Sequence, residues 1–158
     1  MSWERGRSTV ERLLADGELQ QVTPSSNVAD RLLADAAAHI GLASKGITED
    51  PAGALQLSYD AVRKAAAALL IVQGLRATVH GGHVAVIDAA RAQFNGRSGM
   101  EVFSRLHALR RRRNRTEYPN ADSPGVNPGD AQQALETAEG VLDAARRLLT
   151  SGRLGVFE

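Results

Sequence analysis

The segment "TEDPAGALQLSYDAVRKAAAALLIVQGLR", residues 48–76, constrains the fold of this chain more than any other stretch. Asp50 followed by Pro51 is typical of a helix N-terminus, and Gly74 is typical of a helix end. The many alanines let neighbouring backbones approach closely, so we expect this helix to run through the middle of a bundle. Apolar side chains recur at the spacing of one helix face, at Leu55, Tyr59, Val62, Ala66, Leu69 and Val72.

The same period of three to four residues dominates the rest of the chain, and no alternating β-branched stretch indicates a strand. These patterns predict an all-α fold, an antiparallel bundle of four to six helices. We divide the chain into an N-terminal helical extension (1–24), a bundle (25–150) and a frayed C-terminal tail (151–158). Further helices are predicted over Thr9–Leu19, from Asn27 to about Gly46, over Val84–Phe94, over Gly99–Glu117 with Ser98 as its cap, and from Asn127-Pro128 onward.

Composition excludes several classes of protein. The chain has 158 residues and no cysteine, which rules out disulfides and thiolate metal sites. Its net charge is only +1, so any attraction for phosphate must come from a local cluster of basic residues. The longest apolar run, Ala65–Val72, is far shorter than the roughly 20 residues of a membrane span, and no signal peptide is evident. We therefore expect a cytoplasmic protein without a membrane segment, a metal or a cofactor.

The stretch "ALRRRRNRTEYP", residues 108–119, holds five arginines in six consecutive positions. On a helical wheel, Arg113 falls on the face of the apolar residues Leu106 and Leu109, and Glu117 falls there too. Arg113 is therefore predicted to be partly buried and held in place. Such a guanidinium can bind a phosphate or carboxylate with two parallel hydrogen bonds. The alternative is a structural ion pair with Glu117 or with another helix.

The other arginines of the run are Arg110, Arg111, Arg112 and Arg115. As exposed charges in the last turns of a helix, they would be favoured by the helix dipole, which is a purely structural explanation. Their clustering also makes them candidates for contacts with the phosphates of RNA.

Two stretches together resemble the HEPN domain family: "SYDAVRKAAAALLIVQGLRATVHGGH" and "LRRRRNRTEYP". The resemblance covers roughly Ser25 to Leu149. It implies a small α-helical bundle that forms a homodimer, with the motifs of both subunits in one cleft. It also implies metal-independent ribonuclease activity in many members. Some members are toxins paired with a nucleotidyltransferase antitoxin.

The ribonuclease motif of that family is an arginine, a polar residue, and a histidine four to six positions after the arginine. Arg113 and Asn114 match its first two positions, and Tyr118 stands where the histidine is expected. Histidine suits proton transfer because its unperturbed pKa is about 6.5, whereas the pKa of tyrosine is about 10. Tyr118 can instead donate a hydrogen bond to phosphate or stack on a base.

Two hypotheses follow. The first is a HEPN-like protein that binds RNA or a nucleotide through Arg113, Asn114 and Tyr118, and is a degenerate ribonuclease of a toxin–antitoxin or defence system. The second is a non-enzymatic helical module that dimerises and docks a partner protein, with Arg113 in a structural ion pair.

Four side chains outside the motif also have predicted roles. His80 and His83, in "HGGH", lack the neighbouring carboxylates or cysteines of a metal site, so we predict a glycine-rich turn with His83 at a helix start. A proton-transfer role would require one of them to approach Arg113 in the fold. Tyr59 is predicted to be a core residue whose hydroxyl reaches a partner, with an approach to Arg113 as the alternative. Trp3 is predicted to anchor the N-terminal segment.

Overall fold

The computed structural model describes residues 3–158, and this part of the chain confirms the all-α bundle. The two β-strands are β1 (Leu19–Gln21) and β2 (Leu75–Ala77), and a 3-10 helix covers Glu101–Arg105. No helix in the described part is long and apolar enough to span a bilayer. The six α-helices are α1 (Arg7–Ala15), α2 (Ser26–Gly46), α3 (Pro51–Val72), α4 (Gly82–Phe94), α5 (Leu106–Glu117) and α6 (Pro128–Ser151).

Helix α3 is the centre of the bundle, as predicted, and α2, α4, α5 and α6 all contact it. The Asp50 side chain accepts a hydrogen bond from the Gly53 N–H at 2.9 Å and caps its first turn. Gly74 follows its end with a φ of 79°, a left-handed conformation that glycine adopts without strain. Five of the seven alanines of α3 are buried together with its large side chains, so that α2 and α6 approach closely.

Side-chain caps fix the starts of the flanking helices α2 and α6. The Ser25 side chain accepts from the Val28 N–H at 3.1 Å at the start of α2. At the start of α6, Asn127 and Asp130 form a reciprocal capping box. Asp130 is therefore fixed at the N-terminus of α6, where its negative charge also suits the helix dipole.

The prediction that the chain has no strand is wrong. Strands β1 and β2 pair antiparallel, with Leu19 opposite Ala77 and Gln21 opposite Leu75. The predicted first helix accordingly ends at Ala15 rather than at Leu19. Each strand has only three residues, with only the first residue fully buried, so neither is long enough to show an alternating pattern.

The predicted helix over Gly99–Glu117 is interrupted. Gly99 has a φ of 81°, and its N–H donates to the Glu101 Oε1 atom at 3.1 Å instead of entering a helical turn capped by Ser98. A 3-10 helix follows, and α5 begins only at Leu106. The shorter α5 still buries Leu106 and Leu109, so the predicted apolar face is confirmed.

The expectation of a frayed C-terminal tail is also wrong. Phe157 is buried, and its N–H donates to the Gln73 carbonyl at 2.8 Å. Its ring meets Trp3 edge-on at a centroid distance of 4.8 Å, and the Trp3 indole N–H donates to the Gly155 carbonyl at 3.1 Å. Trp3 therefore anchors the N-terminal segment as predicted, and it does so on the tail.

Candidate functional site

Arg113 projects from α5 toward α3 and lies on an aromatic ring. Its guanidinium carbon is 5.4 Å from the centroid of Tyr59, within the range of a cation–π interaction. Its Nε donates to the Gln56 Oε1 atom at 3.2 Å, and one terminal nitrogen donates to the Asn114 Oδ1 atom at 3.3 Å. Arg113 is half-buried, which confirms the prediction from the helical wheel.

The alternative for Arg113, a structural ion pair with Glu117 or with another helix, does not form among the described residues. Glu117 is exposed at the end of α5, and within residues 3–158 no carboxylate makes a salt bridge with Arg113. A guanidinium has five N–H groups, and the contacts to Gln56 and Asn114 use two of them. Three N–H groups therefore have no hydrogen-bond partner among the described residues.

A polar row along α3 fixes the amide that Arg113 contacts. The Gln56 Nε2 group donates to Asp60 at 3.3 Å, and the Arg63 Nε group donates to the same carboxylate oxygen at 3.0 Å. The Gln56 carbonyl is thereby turned toward Arg113. The sequence motif does not include this row, although spacings of four and three residues place its members on one helix face.

Tyr59 carries a second polar contact, to His83 at the start of α4. Tyr59 is 1% exposed, and its hydroxyl is 2.5 Å from the His83 Nδ1 atom. The two rings lie nearly perpendicular with centroids 5.4 Å apart. Burial raises the pKa of Tyr59 to about 12, so the phenol stays protonated. Its hydroxyl therefore donates a hydrogen bond to the imidazole. The predictions of Tyr59 as a core residue and of His83 at a helix start are both confirmed.

The fold brings His83 to the surroundings of Arg113, which sequence could not show. Burial lowers the pKa of His83 below its ordinary value, and the positive charges of Arg113, Arg110 and Arg63 lower it further, in that order. Asp60 acts in the opposite direction. The imidazole is therefore kept neutral near pH 7.

Arg110 is occupied by acceptors on its own side of α5. It forms a salt bridge with Asp88 of α4 at 3.1 Å, and its side chain is only 16% exposed. Its second terminal nitrogen is 2.8 Å from the His107 Nδ1 atom. Arg110 contributes positive charge to the site but has a carboxylate partner of its own.

The remaining arginines face α6 or solvent. Arg112 forms a salt bridge of 2.6 Å with Asp130, which belongs to the capping box of α6. Arg111 and Arg115 are exposed. A cleft of about 620 Å³ separates α5 from α6, and among its lining residues are Arg105, Arg111, Arg112 and Arg115. Three of the five arginines of the run thus line one cleft, whereas Arg110 faces α4 and Arg113 faces α3.

Tyr118 lies at the C-terminal end of α5. Its N–H donates to the Asn114 carbonyl at 3.0 Å, while its side chain is 76% exposed. Within the described residues, its side chain makes no hydrogen bond or cation–π contact with Arg113 or Asn114. The structure brings Arg113 and Asn114 together and leaves Tyr118 projecting into solvent.

No group of three or more histidine, aspartate or glutamate side chains in the described part of the chain could hold a metal ion. His80 is exposed in the turn before α4, whereas His83 contacts Tyr59. The two histidines of "HGGH" therefore have different surroundings, and only His83 belongs to the site.

A comparison with protein-family models finds one described as HEPN domain, which matches residues 29–148. This is about three quarters of the chain, and it contains all residues of the site described above. Helix α1, strand β1 and the C-terminal tail lie outside the match. No curated protein and no solved structure matches the chain.

Proposed function

The chain belongs to the HEPN domain family, and on that premise we propose that it binds RNA, or a nucleotide, through a phosphate group held by Arg113. The family suggests a function related to RNA or nucleotides. The observation that carries the proposal is the half-buried guanidinium of Arg113, which is held in place without a carboxylate partner.

The surroundings of Arg113 favour an anionic ligand. The Tyr59 ring and the Gln56 carbonyl orient the guanidinium, so little side-chain freedom is lost when a ligand binds. Neither contact neutralises its charge. The free N–H groups can make the paired, charge-assisted hydrogen bonds that a phosphate accepts. Arg110 and Arg112 lack this property because each already has a carboxylate partner.

The other predicted residues take supporting roles in this proposal. Asn114 contacts Arg113 and would position the bound phosphate. The exposed ring of Tyr118 would stack on a base. Arg111 and Arg115 are exposed and would add attraction for the RNA backbone. Arg110 and Arg112 would add little, because a carboxylate already pairs with each of them.

Several predictions from the resemblance stay predictions. Metal-independent cleavage of RNA requires a group that accepts a proton, and Tyr118 occupies the motif position of that group. The homodimer and the nucleotidyltransferase antitoxin as a partner belong to the same set. The alternative of an interaction module also stays a prediction, but the ion pair with Glu117 that it invoked does not form.

The test is the affinity of the full chain for fluorescently labelled single-stranded RNA, without metal, at several salt concentrations. Arg113→Ala is compared with Arg112→Ala, a matched variant from the same helix whose guanidinium is already ion-paired. A charge-assisted hydrogen bond contributes about 1.5–3 kcal/mol, so Arg113→Ala should weaken binding about tenfold to a hundredfold.

The salt dependence supplies a second readout. Loss of one phosphate contact should make the slope of log affinity against log salt less negative by about 0.7 for Arg113→Ala. Arg112→Ala should leave both affinity and slope nearly unchanged. Equal RNA affinity of wild type and Arg113→Ala, with both folded, would reject the proposal and direct attention to protein partners. A gel of the same RNA after incubation reports cleavage.

A further inference from the structure

We propose that His83 is a second phosphate ligand, whose Nε2–H group donates a hydrogen bond to the phosphate that Arg113 binds, with Tyr59 as the positioning residue. This inference rests on the proposed function, because it adds a contact from another helix to the same site. The family motif does not include His83, which lies 30 positions before Arg113 in the sequence.

Both side chains lie against one aromatic ring. The Arg113 guanidinium carbon is 5.4 Å from the Tyr59 centroid, and the His83 ring meets Tyr59 edge-on with centroids 5.4 Å apart. Arg113 comes from α5 and His83 from the first turn of α4. Tyr59, which is buried on α3, thereby contacts the two proposed donors, which come from two other helices.

The Tyr59 contact also decides which imidazole nitrogen carries the proton. A buried, protonated phenol needs an acceptor for the hydrogen bond that its hydroxyl donates. Among the described residues, the acceptor for Tyr59 is the His83 Nδ1 atom. A neutral imidazole has one N–H group, so with Nδ1 as the acceptor the proton is on Nε2. His83 therefore presents a fixed, uncharged donor.

That donor is accessible and has no partner within the protein. No described residue makes a hydrogen bond to the His83 Nε2 atom, and His83 is half-buried. Within residues 3–158, Arg91 Nε is the side-chain nitrogen or oxygen that is both buried and without a partner. Because His83 Nε2 also has no partner, it must be in contact with solvent. The His83 Nε2–H group can thus contact a ligand from solvent.

The same tautomer separates binding from proton transfer. Abstracting a proton from a 2′-hydroxyl requires a nitrogen with a free lone pair. In His83, Nδ1 accepts from Tyr59 and Nε2 already carries a proton, so neither nitrogen offers one. The positive charges of Arg63, Arg110 and Arg113 disfavour the imidazolium and outnumber Asp60, which favours it. His83 is therefore assigned as a ligand and not as a replacement for the missing motif histidine.

The experiment measures the affinity of the full chain for the labelled single-stranded RNA in three histidine variants. His83→Ala should weaken binding roughly threefold to tenfold, the range of one neutral hydrogen bond. The salt slope should not change, because no charge is lost. His83→Gln should recover part of the affinity, since its amide N–H can reach the place of Nε2. His80→Ala removes the exposed neighbouring histidine and is the matched control, with wild-type affinity expected.

Nitrogen NMR of the histidine side chains tests the tautomer directly. The wild-type protein should show His83 protonated at Nε2, and Tyr59→Phe should release this preference while the chain remains folded. A proton on Nδ1 of wild-type His83 would overturn the inference. So would equal affinities of His83→Ala and wild type.

The two proposals fail in different ways. If RNA affinity does not depend on Arg113, the proposed function is rejected. If affinity depends on Arg113 while His83→Ala binds as tightly as wild type, the Arg113 site stands and only the His83 assignment is rejected.

Discussion

Arg112 and Arg113 are adjacent in the sequence but face two different surfaces of the molecule. Arg112 points to α6 and meets Asp130 at 2.6 Å, while Arg113 points to α3 and meets the ring of Tyr59 and the amide of Gln56. The difference lies in what the opposing helix offers. The Asp130 carboxylate pairs with the guanidinium of Arg112. An aromatic ring and a neutral amide hold the guanidinium of Arg113 and leave its charge free to bind an anion. The availability of an arginine is thus decided by the partner helix and not by the arginine run itself.

The largest expected effect is on folding and concerns the support of the Arg113 surface. Tyr59→Ala removes a fully buried aromatic side chain and should lower the free energy of unfolding by about 3–5 kcal/mol. Arg112→Ala breaks a partly exposed ion pair and should cost less than about 1 kcal/mol. Urea denaturation of both variants measures the difference. A similar cost for the two would mean that Tyr59 is not the foundation of this surface.

The second prediction concerns a substitution that gives Arg113 a carboxylate partner, as Arg112 already has. Asn114→Asp places a carboxylate where an amide oxygen now lies 3.3 Å from the guanidinium, and the resulting ion pair would compete with phosphate. RNA affinity should fall about tenfold or more, with little change in stability. Salt-dependent fluorescence anisotropy measures it, with Asn120→Asp as a control outside the site. Unchanged affinity would contradict the role of an unpaired Arg113.

The reverse change should release Arg112. Asp130→Asn removes the carboxylate from the salt bridge while an amide oxygen can still accept in the capping box. RNA affinity should rise a few-fold, with a salt slope more negative by about 0.7. The free energy of unfolding should fall by about 1 kcal/mol, since the helix N-terminus loses a favourable charge. A drop in RNA affinity would show that charge at α6 does not limit Arg112.

The smallest expected effect is on a titration. Arg113→Ala should raise the pKa of His83, because burial and then the charge of Arg113 are the main causes of its depression. Arg112→Ala should leave that pKa unchanged. NMR titration of the histidine ring protons measures both variants, and equal shifts would contradict the asymmetry between the two surfaces.

The same depression has a sign for stability. In the unfolded chain His83 has a pKa of about 6.5, and in the folded protein its pKa is lower. At a pH between these two pKa values the unfolded state therefore binds more protons than the folded state. The contribution of neutral His83 to the free energy of unfolding is therefore fully present above about pH 6.5. It decreases as the pH falls from about 6.5 toward the pKa of His83 in the folded protein. His107, whose pKa is also lowered, acts in the same direction.

Sequence predicts the helices well because each buries one continuous stripe over several turns. The period of α3 and its Asp50 cap suffice to place it at the centre. Strands β1 and β2 could not be predicted, since three residues with a single fully buried side chain carry no readable period. The break before α5 depends on Gly99 and on a side-chain contact of Glu101, which a helical wheel does not represent.

The sequence predicts those residues of the candidate site that are neighbours in the motif, but not those that come from other helices. Arg113 and Asn114 are neighbours in a motif, and the wheel correctly places Arg113 at the end of an apolar face. Gln56 contacts Arg113 across 57 positions, and His83 contacts Tyr59 across 24. Nothing local distinguishes these residues, because their meeting depends on how α3, α4 and α5 are arranged. The partner of Arg112, 18 positions away, is hidden in the same way.

The contact between Trp3 and Gly155 joins residues 152 positions apart. Translation at 5–20 residues per second separates the appearance of the two by about 8–30 s. During that interval the central helices can already associate, while the indole has no tail to cover it. Closing so long a loop carries an entropic cost that only the assembled bundle can offset. The nascent chain therefore exposes the Trp3 ring until residues 155–157 have emerged from the ribosome.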